Sequence, residues 1–183
     1  MCAEPLILGE MTDYITKETL ADTVDERARQ ALARFLVEDR HFAKEDIRVR
    51  CRITVQVAEK SAERKIDFMI QVEGKTGMIM QYGPGSITSR HRPALAASRL
   101  VEAYQIPVIV VTNGEEADVL DGVTGNVTAE GLDGIPSKAQ LQEIMRGHAF
   151  ERISDRQKAL EARILYAFEV NDSCFCDMAS CGK

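Results

Sequence analysis

IDFMIQVEGKTGMIMQYGPGS, residues 66–86, decides the fold. Two apolar runs, IDFMIQV (66–72) and MIMQY (78–82), flank the polar EGKTG (73–77). That pattern predicts a β-hairpin whose turn is EGKTG, rich in Gly as such turns require. Gly74-Lys75-Thr76 also matches the last three residues of a phosphate-loop signature. That signature needs a glycine where Met69 stands, and a helix must follow it. Here GMIMQYGPGS follows, which reads as a strand and a Gly/Pro loop. Asp67 with Glu73-Gly74-Lys75 suggests the carboxylates and lysine of a metal-dependent nuclease. Six residues of strand separate Asp67 from Glu73 by roughly 20 Å, too far to share one ion. Pairing Val72 with Met78 sets Gln71 against Ile79, Met69 against Gln81 and Asp67 against Gly83.

Outward from the hairpin, residues 20–39 carry a helical stripe of Leu20, Val24, Ala28, Ala31, Leu32 and Phe35. IRVRCRITVQV (47–57) alternates strictly and predicts a half-buried strand. Ile47, Val49, Cys51, Ile53, Val55 and Val57 share one face, and Arg48, Arg50 and Arg52 the other. AEKSAERK reads as a charged connection. PALAASRLVEAY predicts a helix opened by Pro93. IPVIVVTNG reads as a fully buried strand closed by Asn-Gly, and ADVLD as a short strand. Ser137 and Ser154 cap two further helices, roughly 138–147 and 155–169. The order α-β-β-β-α-β followed by peripheral strands and helices predicts one α/β domain over residues 1–172 with a mixed sheet. Residues 173–183 form a cysteine-containing tail.

The 183 residues, 45% apolar and 28% charged, suit a globular domain with a real core. No apolar run is long enough to span a membrane. The N-terminus lacks the basic start of a secretory signal, so a cytoplasmic protein is expected. A net charge of −6 opposes a surface wholly devoted to nucleic acid but leaves room for a local basic patch. Cys174, Cys176 and Cys181 could bind zinc with Cys2, His148 or Asp177, but nothing in the sequence gathers them, and a tail is the expectation. Cys51 is expected in the core.

The order of these pieces resembles the N-terminal nuclease-type domain of type I restriction enzyme R subunits, in the PD-(D/E)xK superfamily. The resemblance covers roughly residues 22–122. DERARQALARFLVED is similar to the family's opening helix. Asp67 matches its first metal carboxylate. AASRLVEAYQIPVIVVTNGEEADVLD, with Tyr104 and Thr112-Asn113-Gly114, is similar to its helix, tyrosine and apolar strand. The resemblance implies a restriction-endonuclease-like sheet with helices on both faces and added C-terminal helices. It also implies a Mg²⁺-dependent endodeoxyribonuclease if the site is active. The family's Glu-x-Lys falls at Gln81-Tyr82-Gly83, where acid and lysine are both missing.

These readings make Asp67 and Gln81 the candidate catalytic pair, with Asp67 a weak metal ligand and Glu26 an accessory acid. Arg90, His91 or Arg92 could supply a migrated cation, although arginine does not readily lose its proton. Ser86, Thr88, Arg90 and Arg92 are candidate phosphate binders at a helix N-terminus; a charged loop cap is the alternative. Arg48, Arg50 and Arg52 read as a solvated edge that discourages aggregation. The leading expectation is a stand-alone, nuclease-related protein that binds DNA with an impaired catalytic centre. The alternatives are an atypical metal-dependent endonuclease and a non-enzymatic interaction scaffold, perhaps a homodimer.

Overall fold

Two short strands that the periodicity does not announce precede the first helix. β1 (Gly9–Thr12) and β2 (Thr19–Asp22) pair antiparallel as a separate hairpin. A computed structural model supplies this description, covering the backbone of residues 6–177 and the side chains of residues 6–168. Thr23 caps α1 (Val24–Glu38), its hydroxyl accepting from the Glu26 amide. Leu20, expected on that helix, lies instead in β2.

The main sheet has six strands in the order β3-β4-β5-β6-β7-β8. They are β3 (Ile47–Val57), β4 (Lys60–Val72), β5 (Lys75–Tyr82), β6 (Val108–Thr112), β7 (Ala117–Asp121) and β8 (Val127–Glu130). β5 and β6 run parallel, joined by the crossover helix α2 (His91–Val101); the other neighbours are antiparallel. The expected α-β-β-β-α-β core is therefore present as α1-β3-β4-β5-α2-β6. α3 (Lys138–Gly147) and α4 (Asp155–Asp177) follow. α4 carries Cys174 and Cys176, whose side chains lie outside the described residues, as do Cys2 and Cys181. No helix among the described residues is long and apolar enough to cross a membrane.

Helices cover both faces of the sheet. On one face Leu32, Ala33 and Leu36 of α1 and Leu141 of α3 pack on Phe68, Ile70, Met78, Met80 and Val110. On the other, Ala94–Ala97 of α2 and Leu165 of α4 pack on Ile53, Val55, Ile66, Met69, Ile79 and Val111. Cys51 packs against this second core as expected, and burial pushes its thiol above the ordinary range.

Three expectations need correction. AEKSAERK is not a connection: β4 begins at Lys60, and only Ala58 and Glu59 turn between β3 and β4. The EGKTG turn is shorter than its composition suggests. Glu73 (φ 54°) and Gly74 (φ 77°) alone make it, both left-handed, and Lys75 already pairs with Val72. Two successive positive φ values give the tight hairpin turn whose twist matches the strands. The register shifts accordingly, to Gln71 with Thr76 and Met69 with Ile79.

The third correction concerns strand faces. Ile47 and Val49 belong to the α1-side core, whereas Cys51, Ile53 and Val55 belong to the α2/α4-side core. β4 switches too, with Ile66 on the α2/α4 side and Phe68, Ile70 and Val72 on the α1 side. The switch occurs at Arg50 (φ 53°) and Asp67, between the pairs Val49–Phe68 and Cys51–Ile66. An irregularity of this kind re-aims side chains. Here it turns Arg50 and Asp67 toward α1.

Arg50 is consequently not a solvated edge residue. Its guanidinium pairs with Asp13 and Glu18, docking the β1–β2 hairpin onto the sheet. Asp13 is 1% exposed and also accepts from the Ile15 and Thr16 amides and from Gln30 Nε2. Burial pushes the Asp13 carboxyl upward, but the Arg50 guanidinium and the other three donors together bring it below the ordinary carboxylate value.

A depressed folded-state value stabilises the fold above the unfolded value near pH 4, and that stability is lost as pH falls through the folded value. Asp13→Asn should therefore lower stability at pH 7 by about 3 kcal/mol and flatten the acid limb of a denaturation–pH series. A second test concerns Gly122, where an added Cβ would lie 1.8 Å from the Ile106 carbonyl oxygen. That contact is with backbone and no rotamer relieves it. Gly122→Ala should cost at least about 3 kcal/mol in urea unfolding, whereas Gly147→Ala, with nothing within 4 Å, should not destabilise.

Candidate functional site

The groups around Asp67 come from α1, three strands of the sheet and the β1–β2 hairpin. α1 presents Glu26, Arg29 and Gln30 on one face, at the three- and four-residue spacing of adjacent turns. β4 supplies Asp67, β5 the Tyr82 amide, and β3 with the β1–β2 hairpin supplies Arg50 and Asp13. Asp67 is 7% exposed. Its Oδ1 accepts from Arg29 Nε at 2.7 Å and its Oδ2 from the Tyr82 amide at 2.9 Å. Glu26 turns inward as well. Its Oε1 accepts from Gln30 Nε2 at 2.9 Å and its Oε2 lies 3.6 Å from Arg29 Nη1. The Arg29 guanidinium also stacks 5.1 Å from the Tyr82 ring centroid.

The result is a filled site. The void lined by Asp13, Glu26, Arg29, Arg50 and Asp67 measures about 10 Å³. That is room for one water at most. Mg²⁺ takes near-octahedral oxygen ligands and keeps several waters. The residues present do not fit it: Asp67 already has a donor on each oxygen, and Glu26 faces Gln30 and Arg29. No group of three or more His, Cys, Asp or Glu among the described residues is placed to hold a metal ion.

Gln81 is not brought to Asp67. It is 2% exposed and belongs to the opposite face of the sheet, where its Oε1 accepts from Arg64 Nη2 at 3.1 Å. The strand register continues to set the two residues near one another along the ladder, but their side chains leave it in different directions. Gly83 has another use. A Cβ there would lie 2.1 Å from Arg90 Nη1, so the missing side chain is what admits the Arg90 guanidinium. Arg90 Nη2 then donates to the Pro84 carbonyl at 2.6 Å.

The four phosphate-binding candidates separate. Ser86 and Thr88 are exposed. Thr88 lines a cavity of about 470 Å³ together with Glu115, Glu116, Asp118 and Glu130, a surrounding that repels phosphate. Arg92 pairs with Glu161 at 2.6 Å, and Arg99 holds the other oxygen at 2.7 Å. Glu161 is 2% exposed, so both arginines tie α2 to α4. His91 Nε2 lies 2.7 Å from Asp118 Oδ2. Thr112-Asn113-Gly114 closes β6 with local bonds: Asn113 Oδ1 accepts from the Glu115 and Glu116 amides, and Thr112 Oγ1 from the Gly114 amide. Tyr104 lies beyond the end of α2, and its hydroxyl accepts from the Thr76 amide, pinning the start of β5.

Arg29, Asp13, Gln30 and Lys65 were not singled out from the sequence. Lys65 stands two residues before Asp67 on the same strand. Its side chain is exposed, and partial desolvation together with the neighbouring Arg29 guanidinium moves its amine below the ordinary lysine value. A lysine two residues from the retained aspartate was the available signal.

The family model described as type I restriction enzyme R protein N terminus matches residues 24–136, well over half of the chain. No curated protein and no solved structure matches. The match begins at the first residue of α1 and ends after β8, so it takes in the whole six-stranded sheet and leaves out the β1–β2 hairpin, α3 and α4. It also contains Glu26, Arg29, Asp67, Gln81 and Gly83. With its mixed α/β architecture, the chain belongs to the family of type I restriction enzyme R protein N-termini.

Proposed function

We propose that this protein is a nuclease-related DNA-binding domain of the PD-(D/E)xK type whose metal-dependent cleavage is switched off by its own side chains. One observation carries the proposal: Arg29 Nε sits 2.7 Å from Asp67, on the carboxylate that a catalytic ion would need. A guanidinium there supplies the positive charge without the open coordination positions that phosphodiester hydrolysis requires. The positions matching the family's Glu-x-Lys, Gln81 and Gly83, contribute neither an acid nor a lysine. What the family's fold still offers such a protein is recognition of the DNA backbone.

A second reading has one observation in its favour. Lys65 stands two residues before Asp67 on β4, and a lysine, unlike an arginine, can give up its proton in such a site. In that reading Arg29 swings away when substrate binds, and Asp67 with Lys65 forms an atypical endonuclease site.

Supercoiled plasmid incubated with Mg²⁺ or Mn²⁺ separates the two. The first reading expects no nicking by the wild type with either metal, while Asp67→Ala still binds DNA. Nicking that disappears in both Asp67→Ala and Lys65→Met would replace it with the second. Arg29→Met offers a stability check: it leaves the buried Asp67 charge without its ion pair and should cost about 3 kcal/mol in denaturant unfolding at pH 7.

A further inference from the structure

Outside the Asp67 site, three cations converge on one aromatic ring. Lys44 Nζ lies 3.7 Å from the Tyr14 ring centroid, Lys17 Nζ 5.3 Å and Arg34 Cζ 5.5 Å. They come from three separate pieces of chain: the turn between β1 and β2, the exposed side of α1, and the short 3₁₀ turn at Lys44–Asp46. Two of them are held in place. The buried Asp13 carboxylate caps the amides of Ile15 and Thr16, which shapes the turn that presents Lys17. Lys17 itself is left-handed, at φ 68°, a conformation unfavourable for a lysine. Lys44 Nζ donates to the Tyr14 carbonyl at 2.9 Å. The Tyr14 amide donates to Gln30 Oε1 at 2.6 Å, tying the cluster to the α1 face that carries Arg29.

Two ammonium groups and a guanidinium around one ring repel one another. Glu38, which accepts from the Tyr14 hydroxyl at 3.0 Å, and Glu45 offset part of that charge. The Lys44 amine nevertheless lies below its ordinary value, through desolvation first and then through Lys17 beside it. Cation–π contact with one ring is worth about 0.5–1 kcal/mol per exposed pair. It does not require three cations, and an anion arriving between them would relieve the repulsion. Three cations against the carboxylates of Glu38 and Glu45 leave the cluster net positive on a chain of net charge −6.

We propose that Lys17, Arg34 and Lys44, gathered on the Tyr14 ring, form a docking point for the phosphodiester backbone of duplex DNA. The proposal rests on the DNA-binding reading above and adds the place of contact. Tyr14 and Lys17 lie in the β1–β2 hairpin, outside the 24–136 family match, Arg34 and Lys44 lie within it, and the Ser86–Arg92 loop takes no part. The hairpin and α1 together would grip the strand beside the closed Asp67 site.

Fluorescence anisotropy with a labelled DNA duplex in EDTA, over a salt series, tests this. The variants are the triple Lys17→Asn/Arg34→Gln/Lys44→Met, the single Lys17→Asn, and the control Arg52→Gln. Asn tolerates the left-handed backbone at residue 17, and Met keeps packing on the ring. Arg52 is an exposed arginine paired with Glu63. Removing one or two phosphate contacts should lower the slope of log K against log salt by about one to two. The triple variant should bind at least about 10-fold more weakly at low salt, the single variant about two- to threefold, and the control as the wild type. Should the triple variant lose its fold in a thermal melt, the single variant decides by the same criterion. Wild-type binding that the variants leave unchanged would overturn the docking point alone. Absence of wild-type DNA binding would overturn both this proposal and the DNA-binding reading.

Discussion

The hold of Arg29 on Asp67 is the contact on which the chemistry of this fold turns. A carboxylate that is 7% exposed needs a partner, because an unpaired buried charge costs several kcal/mol. A metal ion would be one solution, and this chain has another. The Arg29 guanidinium takes one oxygen and the Tyr82 amide the other. That arrangement needs α1 in one rotational setting, with Glu26, Arg29 and Gln30 all facing the sheet. Gln30 fixes the setting by bonding Glu26 on one side and Asp13 on the other. Asp13 in turn fixes Arg50. The chain of bonds runs from the added hairpin through the helix to the sheet, and Asp67 lies inside it.

The face switch in β3 and β4 makes this possible. Without it, strict alternation would keep Arg50 on the face opposite Val49, away from α1. Arg50 in the left-handed region breaks the alternation at the pair where Asp67 also turns. Strain of that kind persists only where the surroundings over-determine it. Here the surroundings are the Asp13 and Glu18 carboxylates on the Arg50 guanidinium. Gly83, with no side chain of its own, lets the Arg90 guanidinium lie against the backbone. Arg29 and Arg90 are thus both engaged within the protein.

Much of the architecture was legible because it rests on local pattern. The apolar run at Val108–Thr112, the hairpin around EGKTG, the helices over α1 and α3 and the order of the core all follow from periodicity and punctuation. The hairpin register was not, because a two-residue turn through Glu73 is unusual for a residue with a long side chain. The β1–β2 hairpin was missed because GEMT and TLAD are four residues each and half polar. The face switch was missed because alternation continues on either side of Arg50, so the pattern looks unbroken. Asp67 was identified from its motif, but its partner was not: Arg29 is 38 residues away. Gln81 looked like a neighbour of Asp67 because strand pairing fixes Cα positions; the twist and irregularity of the sheet decide where the side chains go.

The central claim is that Arg29, and not a metal ion, completes the Asp67 site. A crystal structure determined after soaking in Mn²⁺, with anomalous scattering recorded, tests it most directly. No anomalous peak is expected beside Asp67, and Arg29 Nε should remain within hydrogen-bond distance of the carboxylate. A Mn²⁺ ion on Asp67, with Arg29 displaced, would contradict it.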